Sequence, residues 1–500
     1  MQLVQRLKAF PFHVAGVILF FISHGYTEYI GLIPLGDMLV YFVVNLAIFS
    51  LFLWFFYKKL KSIIKAGVLT TLIIACYLFY GAVQDTLQAT PYLSWLSRYR
   101  YLVPGMVIAL VLLYRYMRRS SGKFHTLNLY LNLLFILFIA FDLAVIGRGM
   151  LTQRTAYEEQ AEVMRDFHIR DSICKPDIYL VVMDEYSGSG ALQKYFNYNN
   201  GWFESFFREQ GFWLPSYSFT NYSSTALVMA SVLNMRYMEW YIGNGDVTVQ
   251  DRSRAAEYIA NSEVAAFLQA NGYKIYNHSV FDVNGLPSRF ETGLMPFKIK
   301  MITSKTLFRR MKRDLQWQVA LRLGKKITWF ADNRQEAFRK GNQHMLALTR
   351  EVLEQDEPQP KFVYTHLMMP HDPFICDSTG KNFPVNYYLA KPSYTEQEYK
   401  DAYLQYLVYT SKVVTSFVRS IMEKTQGKAV VIVMSDHGLR ELNVPGDRRP
   451  WLNTFNAVYL PVRNYAGFRD TISTVNQFRL VFNSLFDLQL PLLKDSCVVQ

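Results

Sequence analysis

"VVIVMSDHGLR", Val430–Arg440, changes within a few positions from five apolar residues to an acid, a histidine and a glycine. The apolar run is short and rich in β-branched residues, which predicts a buried strand that ends near Ser435. Asp436 and His437 would then lie side by side at the end of that strand. They could be turn residues ahead of Gly438, or they could be a pair of ligands. The stretch alone leaves both interpretations open.

Similar strands alternate with helical patterns over the later part of the chain. We predict strands at 178–183, 213–219, 273–278, 361–366, 429–434 and 456–460. Helical patterns occur at 199–210, 225–234, 254–271, 334–355, 395–425 and 474–487. This alternation is typical of an α/β fold in which a mostly parallel sheet is sandwiched by helices. In such a sheet, ligands and catalytic groups gather at the carboxyl ends of the strands.

Three further polar clusters fall at that edge of the predicted sheet. "DIYLVVMDEY" ends in Asp184 and Glu185, and "KFVYTHLMMPHDPF" carries His366 and His371. "NYSSTALVMASVLNM" places Thr225 where a loop becomes an apolar helix. Taken one at a time, each cluster has a structural interpretation, as a solvated strand end, a pair of satisfied histidines or a helix N-cap.

Taken together, the clusters are chemically complementary. Carboxylates, imidazoles and a hydroxyl at one sheet edge are the donors that a divalent cation such as Zn²⁺ or Mn²⁺ uses. A helix N-terminus also favours a bound phosphate or sulfate. A cation and that helix end would lower the pKa of the Thr225 hydroxyl and make it a better nucleophile. The sequence therefore predicts a metal-dependent site in which Thr225 attacks the substrate.

The first part of the chain predicts a membrane domain. The chain of 500 residues is 51% apolar, and its long apolar runs all lie before residue 148. We predict five spans near 12–30, 37–57, 64–84, 101–117 and 127–147, because about 20 apolar residues are needed to cross a bilayer. The first run has no small-residue cleavage site and is followed by four more, which favours a retained span over a signal peptide.

Basic residues concentrate in alternate loops of this domain. Residues 1–150 hold 13 Lys/Arg and 4 Asp/Glu, a net charge of +9 out of the chain's +13. The excess lies before the first predicted span, between the second and third, and between the fourth and fifth. By the positive-inside rule, the N-terminus is cytoplasmic and everything after the fifth span is extracytoplasmic. The positive charge is thus mainly a topology signal, and we expect no nucleic-acid partner.

We divide the sequence into a transmembrane domain at 1–150, a juxtamembrane linker helix at 151–176 and an extracytoplasmic domain at 177–500. No spacing typical of a metal site occurs among the four cysteines, Cys76, Cys174, Cys376 and Cys497. Their pairing cannot be deduced from the sequence, and one disulfide with a free thiol stays open.

The order of "DIYLVVMDEY", "NYSSTALVMASVLNM", "HLMMPHDPF" and "MSDHG" resembles the alkaline phosphatase/sulfatase superfamily. It is most similar to the membrane-anchored branch of lipoteichoic-acid synthases and phosphoethanolamine transferases. Those proteins also place about five spans before an extracytoplasmic catalytic domain. The resemblance implies a multi-pass protein of the bacterial inner membrane, with an alkaline-phosphatase-like domain in the periplasm.

The resemblance also implies a set of metal ligands. The acid after the first strand would bind the metal, and either Asp184 or Glu185 fits, with Asp184 preferred. Asp436 and His437 would match a second pair of ligands. Thr225 would match the nucleophile and would also contact the metal. The expected cofactor is a divalent ion, Zn²⁺ or Mn²⁺.

Other positions agree with the resemblance only in part. His371 would match a histidine that contacts the transferred group or a second metal. The segment around Thr225 lacks the Cys or Ser followed by x-Pro-x-Arg from which sulfatases make formylglycine, so a true sulfatase is not expected. No histidine follows His437, whereas many relatives have one downstream. We therefore expect one metal and leave a second open.

The function that follows is a metal-dependent transfer of a phosphoryl-linked headgroup. The expected donor is a phospholipid, and the expected acceptor is an envelope glycan or lipid. An alternative keeps the site but uses water as the acceptor, which gives a phosphodiesterase or another ester hydrolase. A third possibility is an inactive membrane scaffold, against which the complete set of carboxylate, hydroxyl and Asp-His elements argues.

Overall fold

A computed structural model of the chain describes residues 2–30, 33, 35–160, 164, 167–241, 243, 247–290, 299–312, 334–383, 395–440 and 449–498. The chain forms two compact units. The first, here called the helical unit, comprises residues 1–155 and 294–332, and the second, the sheet unit, comprises 156–293 and 333–500. The described residues 299–312 therefore group with the helical unit, although they lie far along the sequence. The domain limits at 150 and 177 stay predictions.

The helical unit is built from apolar helices joined by short connections. Its described helices are α1 (Gln2–Ala9), α2 (His13–Thr27), α3 (Leu35–Leu60), α4 (Ile63–Leu78), α5 (Tyr80–Ala89), α6 (Tyr99–Arg119) and α7 (His125–Gln160), and a short helix at Ile299–Thr303 packs against α2 and α3. The apolar residues of α4 are largely buried because α2, α3 and α6 surround it.

Three to four of these helical segments are suited to crossing a membrane. Within the described residues, Leu35–Leu60, Tyr99–Arg119 and His125–Leu151 are long and apolar enough. Helices α4 and α5 are bent by 59° relative to each other and make a fourth span if they are counted together. Helix α2 is apolar but has 15 residues, fewer than the ~20 that a span needs. The predicted membrane character is confirmed, and the count of five spans is not.

The sheet unit contains one large and one small sheet. Its strands are β1 (Ile178–Met183), β2 (Tyr217–Phe219), β3 (Lys274–His278), β4 (Lys361–Leu367), β5 (Val430–Ser435), β6 (Asn453–Thr454), β7 (Asn456–Tyr459) and β8 (Thr471–Ser473). The large sheet has the order β3-β4-β1-β5-β7, in which all neighbours are parallel except β5 and β7. The mostly parallel sheet predicted from the sequence is therefore present, with an antiparallel strand at one edge.

Short strands account for the differences from the prediction. The predicted strand at 213–219 is regular only at Tyr217–Phe219, where it joins β6 and β8 in the small sheet. Trp213 instead forms an isolated bridge with Val458. Strands of two or three residues are too short to carry a recognisable periodicity. The small sheet could therefore not be predicted as a separate sheet.

Helices cover both faces of the large sheet. They are α8 (Ser189–Phe196), α9 (Gly201–Glu209), α10 (Thr225–Asn234), α11 (Val249–Ala260), α12 (Glu263–Ala270), a helix at Arg334–Leu353, a helix at Glu396–Lys424 and a helix at Gln477–Phe486. Alternate residues of β1 enter different cores: Tyr179, Val181 and Met183 enter one, and Ile178, Leu180 and Val182 enter the other. Burial on both faces explains why the central strands read as continuous apolar runs.

The register of the central strands brings their carboxyl ends together. Met183, the last residue of β1, pairs with Leu367 of β4 on one side and with Ser435 of β5 on the other. Asp184 and Asp436 are the next residues on adjacent strands, so they leave the sheet side by side. The fold thus brings the carboxyl ends of these strands together, as the sequence predicted for the polar clusters that follow them.

Candidate metal centre

Asp184, Asp436 and His437 form a buried group at the carboxyl edge of the sheet. One ligand atom from each lies within 4.8 Å of the others. The three side chains are at most 1% exposed. Across the described part of the chain, no other group of three His, Cys, Asp or Glu side chains meets this distance criterion. Three of the five metal-contacting residues expected from the sequence are therefore adjacent in space.

The Asp436 carboxylate is oriented by the backbone. Its Oδ1 accepts hydrogen bonds from the backbone N–H of Glu185 at 3.0 Å and from that of His437 at 2.8 Å. Its Oδ2 has no hydrogen-bond partner among the described residues and lies 3.3 Å from His437 Nε2. One oxygen thus fixes the side chain, and the other faces the centre of the group.

The His437 ring is held in one tautomer. Its Nδ1 lies 2.9 Å from the backbone carbonyl of Gly438, which can only accept a hydrogen bond. The hydrogen is therefore on Nδ1, and the lone pair is on Nε2. Burial lowers the pKa of His437 below its ordinary value, and Asp436 only partly opposes this effect. The imidazole is neutral near pH 7, which is the form that binds metals.

Asp184 presents the second unsatisfied oxygen. Its Oδ1 has no hydrogen-bond partner among the described residues, and its Oδ2 lies 3.7 Å from His366 Nε2. Burial acts to raise the pKa of Asp184, but the charge of His371 and then the polar contact with the His366 side chain outweigh it and hold that pKa below the ordinary value. The carboxylate is therefore ionised although it is fully buried.

The donor set fits a divalent cation. Two buried carboxylates face each other with one oxygen each left unpaired, which is strongly unfavourable unless a cation compensates for it. Carboxylate oxygens and a neutral imidazole nitrogen are ligands that Zn²⁺ and Mn²⁺ accept. Asp184 Oδ1, Asp436 Oδ2 and His437 Nε2 are the atoms suited to hold it.

Thr225 lies directly beside this group. Its Oγ1 is 3.1 Å from His437 Nε2. Thr225 is the first residue of α10, and the N-cap Ser224 makes no side-chain capping bond. The N–H groups at the start of a helix favour negative charge nearby. Thr225 is partly exposed, so its hydroxyl lies between the buried donors and the solvent.

Glu185 is directed away from the other two carboxylates. Its backbone has φ +67°, a left-handed conformation that is uncommon for a residue with a side chain and occurs at functional sites. Its Oε1 accepts a hydrogen bond from the backbone N–H of Arg440 at 3.3 Å and lies 3.6 Å from Arg440 Nε. The sequence left Asp184 and Glu185 as alternatives. The structure puts Asp184 in the group, and Glu185 faces Arg440.

His371 lies near Glu185 and Arg440. Its Nδ1 is hydrogen-bonded to the backbone carbonyl of Asp372, and its Nε2 is 3.2 Å from Arg440 Nη2. Burial acts to lower the pKa of His371, but Asp184 and Glu185 outweigh it and raise that pKa to about 9. The positive charge of Arg440 opposes this rise in the pKa of His371 but does not cancel it. A cation bound at Asp184 would remove part of the carboxylate effect and act in the same direction.

His366 and Arg440 complete the surroundings of the group. His366 Nδ1 is hydrogen-bonded to the Tyr364 hydroxyl at 2.8 Å, and its Nε2 has no hydrogen-bond partner among the described residues. Arg440 lies in the stretch that predicts β5 and the Asp-His pair, but no role for it was predicted from the sequence. Its position two residues after "DHG" could have marked it as a site residue, because a positively charged side chain next to a predicted pair of metal ligands is unusual.

The cysteines lie outside this group. All four are free thiols, and Cys376 is buried while Cys174 is exposed. The disulfide that the sequence left open is therefore not formed.

Comparison with solved structures finds distant resemblances. The C-terminal periplasmic domain of EptC from Escherichia coli is 13% identical, with a TM-score of 0.37, and the alignment covers 65% of this chain and 89% of that one. The lipooligosaccharide phosphoethanolamine transferase A of Neisseria meningitidis is also 13% identical at a TM-score of 0.37, with coverage of 99% and 97%. A phosphonate monoester hydrolase of Agrobacterium radiobacter is 14% identical at 0.35, with coverage of 62% and 73%. TM-scores below 0.5 support no argument about this chain.

Comparison with curated proteins finds no match. A family model gives the decisive result: the model described as Sulfatase matches residues 177–459. The matched region contains the whole group, from Asp184 through Thr225 to His437. The resemblance to the alkaline phosphatase/sulfatase superfamily seen in the sequence is thereby confirmed. Because the match covers more than half of the chain, this protein belongs to the sulfatase family and is a sulfatase-like enzyme of the alkaline phosphatase superfamily.

Proposed function

We propose that this enzyme transfers a phosphoryl-linked headgroup from a phospholipid to a hydroxyl or phosphate of an envelope glycan or lipid, with Thr225 as the nucleophile. The proposal assigns the protein to the branch of lipoteichoic-acid synthases and phosphoethanolamine transferases that its motifs resemble. The proposal also includes the predicted topology, in which the N-terminus is cytoplasmic and the sheet unit lies on the periplasmic side of the inner membrane.

The observation that carries the proposal is the position of the Thr225 hydroxyl. Thr225 Oγ1 lies 3.1 Å from His437 Nε2, at the N-terminus of α10. Asp184 and Asp436 each present an unpaired buried oxygen within the same group. A threonine hydroxyl is a weak nucleophile unless its environment stabilises the alkoxide. A bound Zn²⁺ or Mn²⁺ supplies that stabilisation and withdraws charge from the phosphate oxygens.

The reaction has two displacements at phosphorus. In the first, the Thr225 oxygen forms a bond to phosphorus while the bond to the lipid alkoxide breaks, which leaves a phosphothreonine and a free diacylglycerol. The proton lost by Thr225 is balanced by the one that the alkoxide gains. In the second, the acceptor oxygen attacks the phosphothreonine, loses its proton and returns a hydroxyl to Thr225.

His371 is the proposed group that contacts the transferred phosphate or protonates the leaving oxygen. Its ring lies beside Arg440 and is partly exposed, as expected for a group that meets substrate. The N–H groups at the start of α10 add positive potential on the Thr225 side. The residues proposed to bind metal are buried, and the residues that would meet substrate reach solvent.

A membrane location supports a lipid donor. Three to four apolar helices of the helical unit are long enough to cross a bilayer. The basic loops predict that the sheet unit is held outside the cytoplasm, next to the membrane surface. Lipid headgroups are concentrated there, so attachment to the membrane would raise the encounter rate with a phospholipid donor.

The test uses the full chain in detergent or lipid discs, loaded with Zn²⁺ or Mn²⁺ and incubated with a headgroup-labelled phospholipid. We expect diacylglycerol release and a mass adduct on Thr225 that accumulates when the acceptor is absent. Thr225→Ala should abolish the adduct and product formation. Ser224→Ala is the matched control, because it removes a neighbouring hydroxyl that makes no capping bond.

The outcomes separate the alternatives that the sequence left open. Full activity in Thr225→Ala would overturn the nucleophile. Release of the headgroup into water at the same rate with and without a glycan or lipid acceptor would identify a hydrolase. Absence of both turnover and bound metal in the intact chain would favour the scaffold.

A further inference from the structure

A cavity lies between three helices of the helical unit. Helices α3 and α6 both pack against α4, and the space that they leave open has a volume of about 320 Å³. Its lining comes from the last two turns of α3, from the middle of α4 and from the middle of α6. Ligand sites in proteins have volumes of ~300–1,000 Å³. The cavity, here called the α3–α6 groove, is therefore large enough to hold part of a small molecule.

The α3–α6 groove runs along the helices and opens to the side. Val107 and Tyr114 both line it, and they are seven residues apart, which is ~10 Å along α6. Leu69 lies at the bottom and is 1% exposed, whereas Val107 and Val111 at the rim are 52% and 43% exposed. Helices α3 and α6 are both suited to crossing a membrane, so this opening faces lipid. An acyl chain fits such a groove, because an empty apolar space loses dispersion contacts.

Lys59 is the charged residue of an otherwise apolar and aromatic lining. It lies one residue before the end of α3. Its Nζ is 5.9 Å from the centroid of the Phe55 ring, and it makes no hydrogen bond or ion pair with the residues that the structure describes. Lys65 differs, because its Nζ donates to the carbonyls of Met117 at 3.1 Å and Ser120 at 2.6 Å. Lys65 thus holds the end of α6, and Lys59 is left to bind an anion at the end of the groove.

The helices around the groove offer Lys59 no nearby carboxylate. The acidic residues of 1–150 are Glu28, Asp37, Asp85 and Asp142. Helices α4 and α6 contain none of them. Asp37 of α3 comes 22 residues before Lys59, which is ~33 Å along the helix. The counter-charge of Lys59 therefore does not come from these three helices. An apolar groove that ends at such a cation matches an amphiphile with a negative headgroup.

We propose that the α3–α6 groove binds one phospholipid with a net negative headgroup, whose acyl chain lies along α6 and whose phosphate pairs with Lys59. By the predicted topology, this end of the helices faces the cytoplasm, so the lipid belongs to the cytoplasmic leaflet. Basic pockets between helices on that side bind anionic headgroups. The bound lipid is distinct from the donor of the proposed function, which lies in the opposite leaflet. Neither proposal depends on the other.

The charge is tested on the full chain in detergent, titrated with phosphatidylglycerol or with phosphatidylcholine, while native mass spectrometry counts the bound lipids. We expect one phosphatidylglycerol to bind at a saturable site and phosphatidylcholine to bind more weakly. Lys59→Gln should weaken phosphatidylglycerol binding about five-fold and leave phosphatidylcholine binding unchanged. Lys58→Gln is the matched control, because Lys58 is exposed and its Nζ lies 5.8 Å from the Trp54 ring, but it does not line the groove.

The groove is tested by filling it. Val111→Trp should abolish binding of both lipids at the concentrations that saturate the wild type. Leu112→Trp should bind them normally, because Leu112 is the next residue, is 58% exposed and does not line the groove. Val107→Trp fills the groove from a second rim position and repeats the test. Phosphatidylglycerol should raise the melting temperature of the wild type and of Leu112→Trp, and it should not raise that of Val111→Trp.

Equal affinity of the wild type for the two lipids would overturn the proposal, as would equal losses in Lys58→Gln and Lys59→Gln. Unchanged binding in both Val107→Trp and Val111→Trp would show that the lipid lies elsewhere. A dimer that Val111→Trp disrupts and Leu112→Trp does not would assign the groove to a second copy of the chain, against the lipid. None of these measurements needs turnover, so a failure of the proposed transferase would leave their results unchanged.

Discussion

The sheet unit and the helical unit each contain a buried polar cluster with a histidine, and the two clusters differ in how well their atoms are paired. In the sheet unit, Asp184 Oδ1, Asp436 Oδ2 and His366 Nε2 are buried without hydrogen-bond partners among the described residues. In the helical unit, His13 Nδ1 pairs with Thr71 Oγ1 at 2.6 Å, and His13 Nε2 pairs with Asn128 Oδ1 at 3.1 Å.

Side chains of the helical-unit cluster also form hydrogen bonds with backbone groups at the end of α1 and the start of α2. Helix α1 ends at Ala9 and α2 begins at His13, so the last carbonyls of α1 have no partners within their own helix. Asn132 Oδ1 accepts from the backbone N–H of His13 at 2.6 Å. The amide groups of Asn128 and Asn132 donate to carbonyls of the α1 end, at Leu7, Lys8 and Phe10.

The difference distinguishes a structural network from a binding site. Both clusters contain a histidine next to other polar side chains, so the sequence alone does not tell a structural cluster from a binding site. A fully paired cluster stabilises the fold and has no donor or acceptor left for a ligand. A cluster with several unpaired buried polar atoms destabilises the fold. Such atoms are retained where a bound ligand pairs with them. Substitutions in the two clusters should therefore have different effects on metal content and on stability.

Asp436→Asn should have the largest effect. The amide keeps the oxygen that accepts from the backbone N–H groups of Glu185 and His437, but it replaces the unpaired oxygen by an NH₂ group. We expect metal content to fall from one per chain to near zero and headgroup transfer to fall on the order of 10³-fold or more. Elemental analysis of the desalted protein and a lipid-turnover assay measure both. Asp356→Asn, at an exposed position, is the matched control.

The same variant makes a second, opposite prediction for stability. In the presence of a chelator, Asp436→Asn should melt above the wild type, because it removes repulsion between two buried carboxylates. A lower melting temperature for the metal-free variant would contradict the view that Asp184 and Asp436 are unsatisfied without a cation.

Asn128→Leu should lower stability without affecting the metal. The leucine removes the Asn128 amide, which donates to the carbonyls of Leu7, Lys8 and Phe10 and pairs with His13 Nε2, so that the buried His13 nitrogen loses its partner in an apolar environment. We expect a loss of about 1–3 kcal/mol in the free energy of unfolding, measured by denaturant titration of the protein in detergent. Metal content should stay at the wild-type level. Gln88→Leu, at an exposed position of α5, should have little effect, and an equal loss there would argue against the paired network.

His371 should make the stability of the metal-free protein depend on pH. Burial acts against the charged ring, but Asp184 and Glu185 raise the pKa of His371 from its ordinary 6.5 to about 9. The stabilisation is therefore fully present below pH ~6.5 and is lost as pH rises through about 9. Thermal melts from pH 6 to 10 with a chelator should show the decline.

Metal loading should flatten this decline, because a cation at Asp184 reduces the charge that acts on His371. His371→Asn should flatten it as well, whereas His344→Asn, at an exposed position, should leave it unchanged. A steeper decline in the metal-loaded protein would mean that His371 does not interact with the carboxylates.

The strands that carry the site were predictable because of how they are buried. Ile178–Met183 and Val430–Ser435 have every side chain buried, so their sequences are continuous apolar runs. Because Asp184 and Asp436 directly follow these two strands, their position at the carboxyl edge of the sheet could be predicted as well. The choice between Asp184 and Glu185 was not predictable, because it depends on the left-handed backbone at Glu185 and on the contact with Arg440.

Helix boundaries were less predictable where local hydrogen bonds override the periodicity. The pattern at 254–271 predicted one helix, and the structure has two, Val249–Ala260 and Glu263–Ala270. Ser262 causes the break. Its Oγ accepts from the backbone N–H of Ala265 at 3.1 Å and donates to the carbonyl of Leu233 at 3.1 Å. The carbonyl partner belongs to α10, so the bond that fixes this boundary could not be read from the local sequence.

Ser262→Ala should therefore have the smallest of the expected effects. It removes a helix cap and the partner of a buried carbonyl, and we expect a loss of about 1 kcal/mol in the free energy of unfolding. Ser262 lies in the same unit as the candidate metal centre, but its hydroxyl is fully paired, so metal content should not change. Ser216→Ala, at an exposed position, is the control. Loss of metal in Ser262→Ala would show that satisfied hydrogen bonds along α10 help to hold the site, and the distinction between paired and unpaired clusters would then be one of degree.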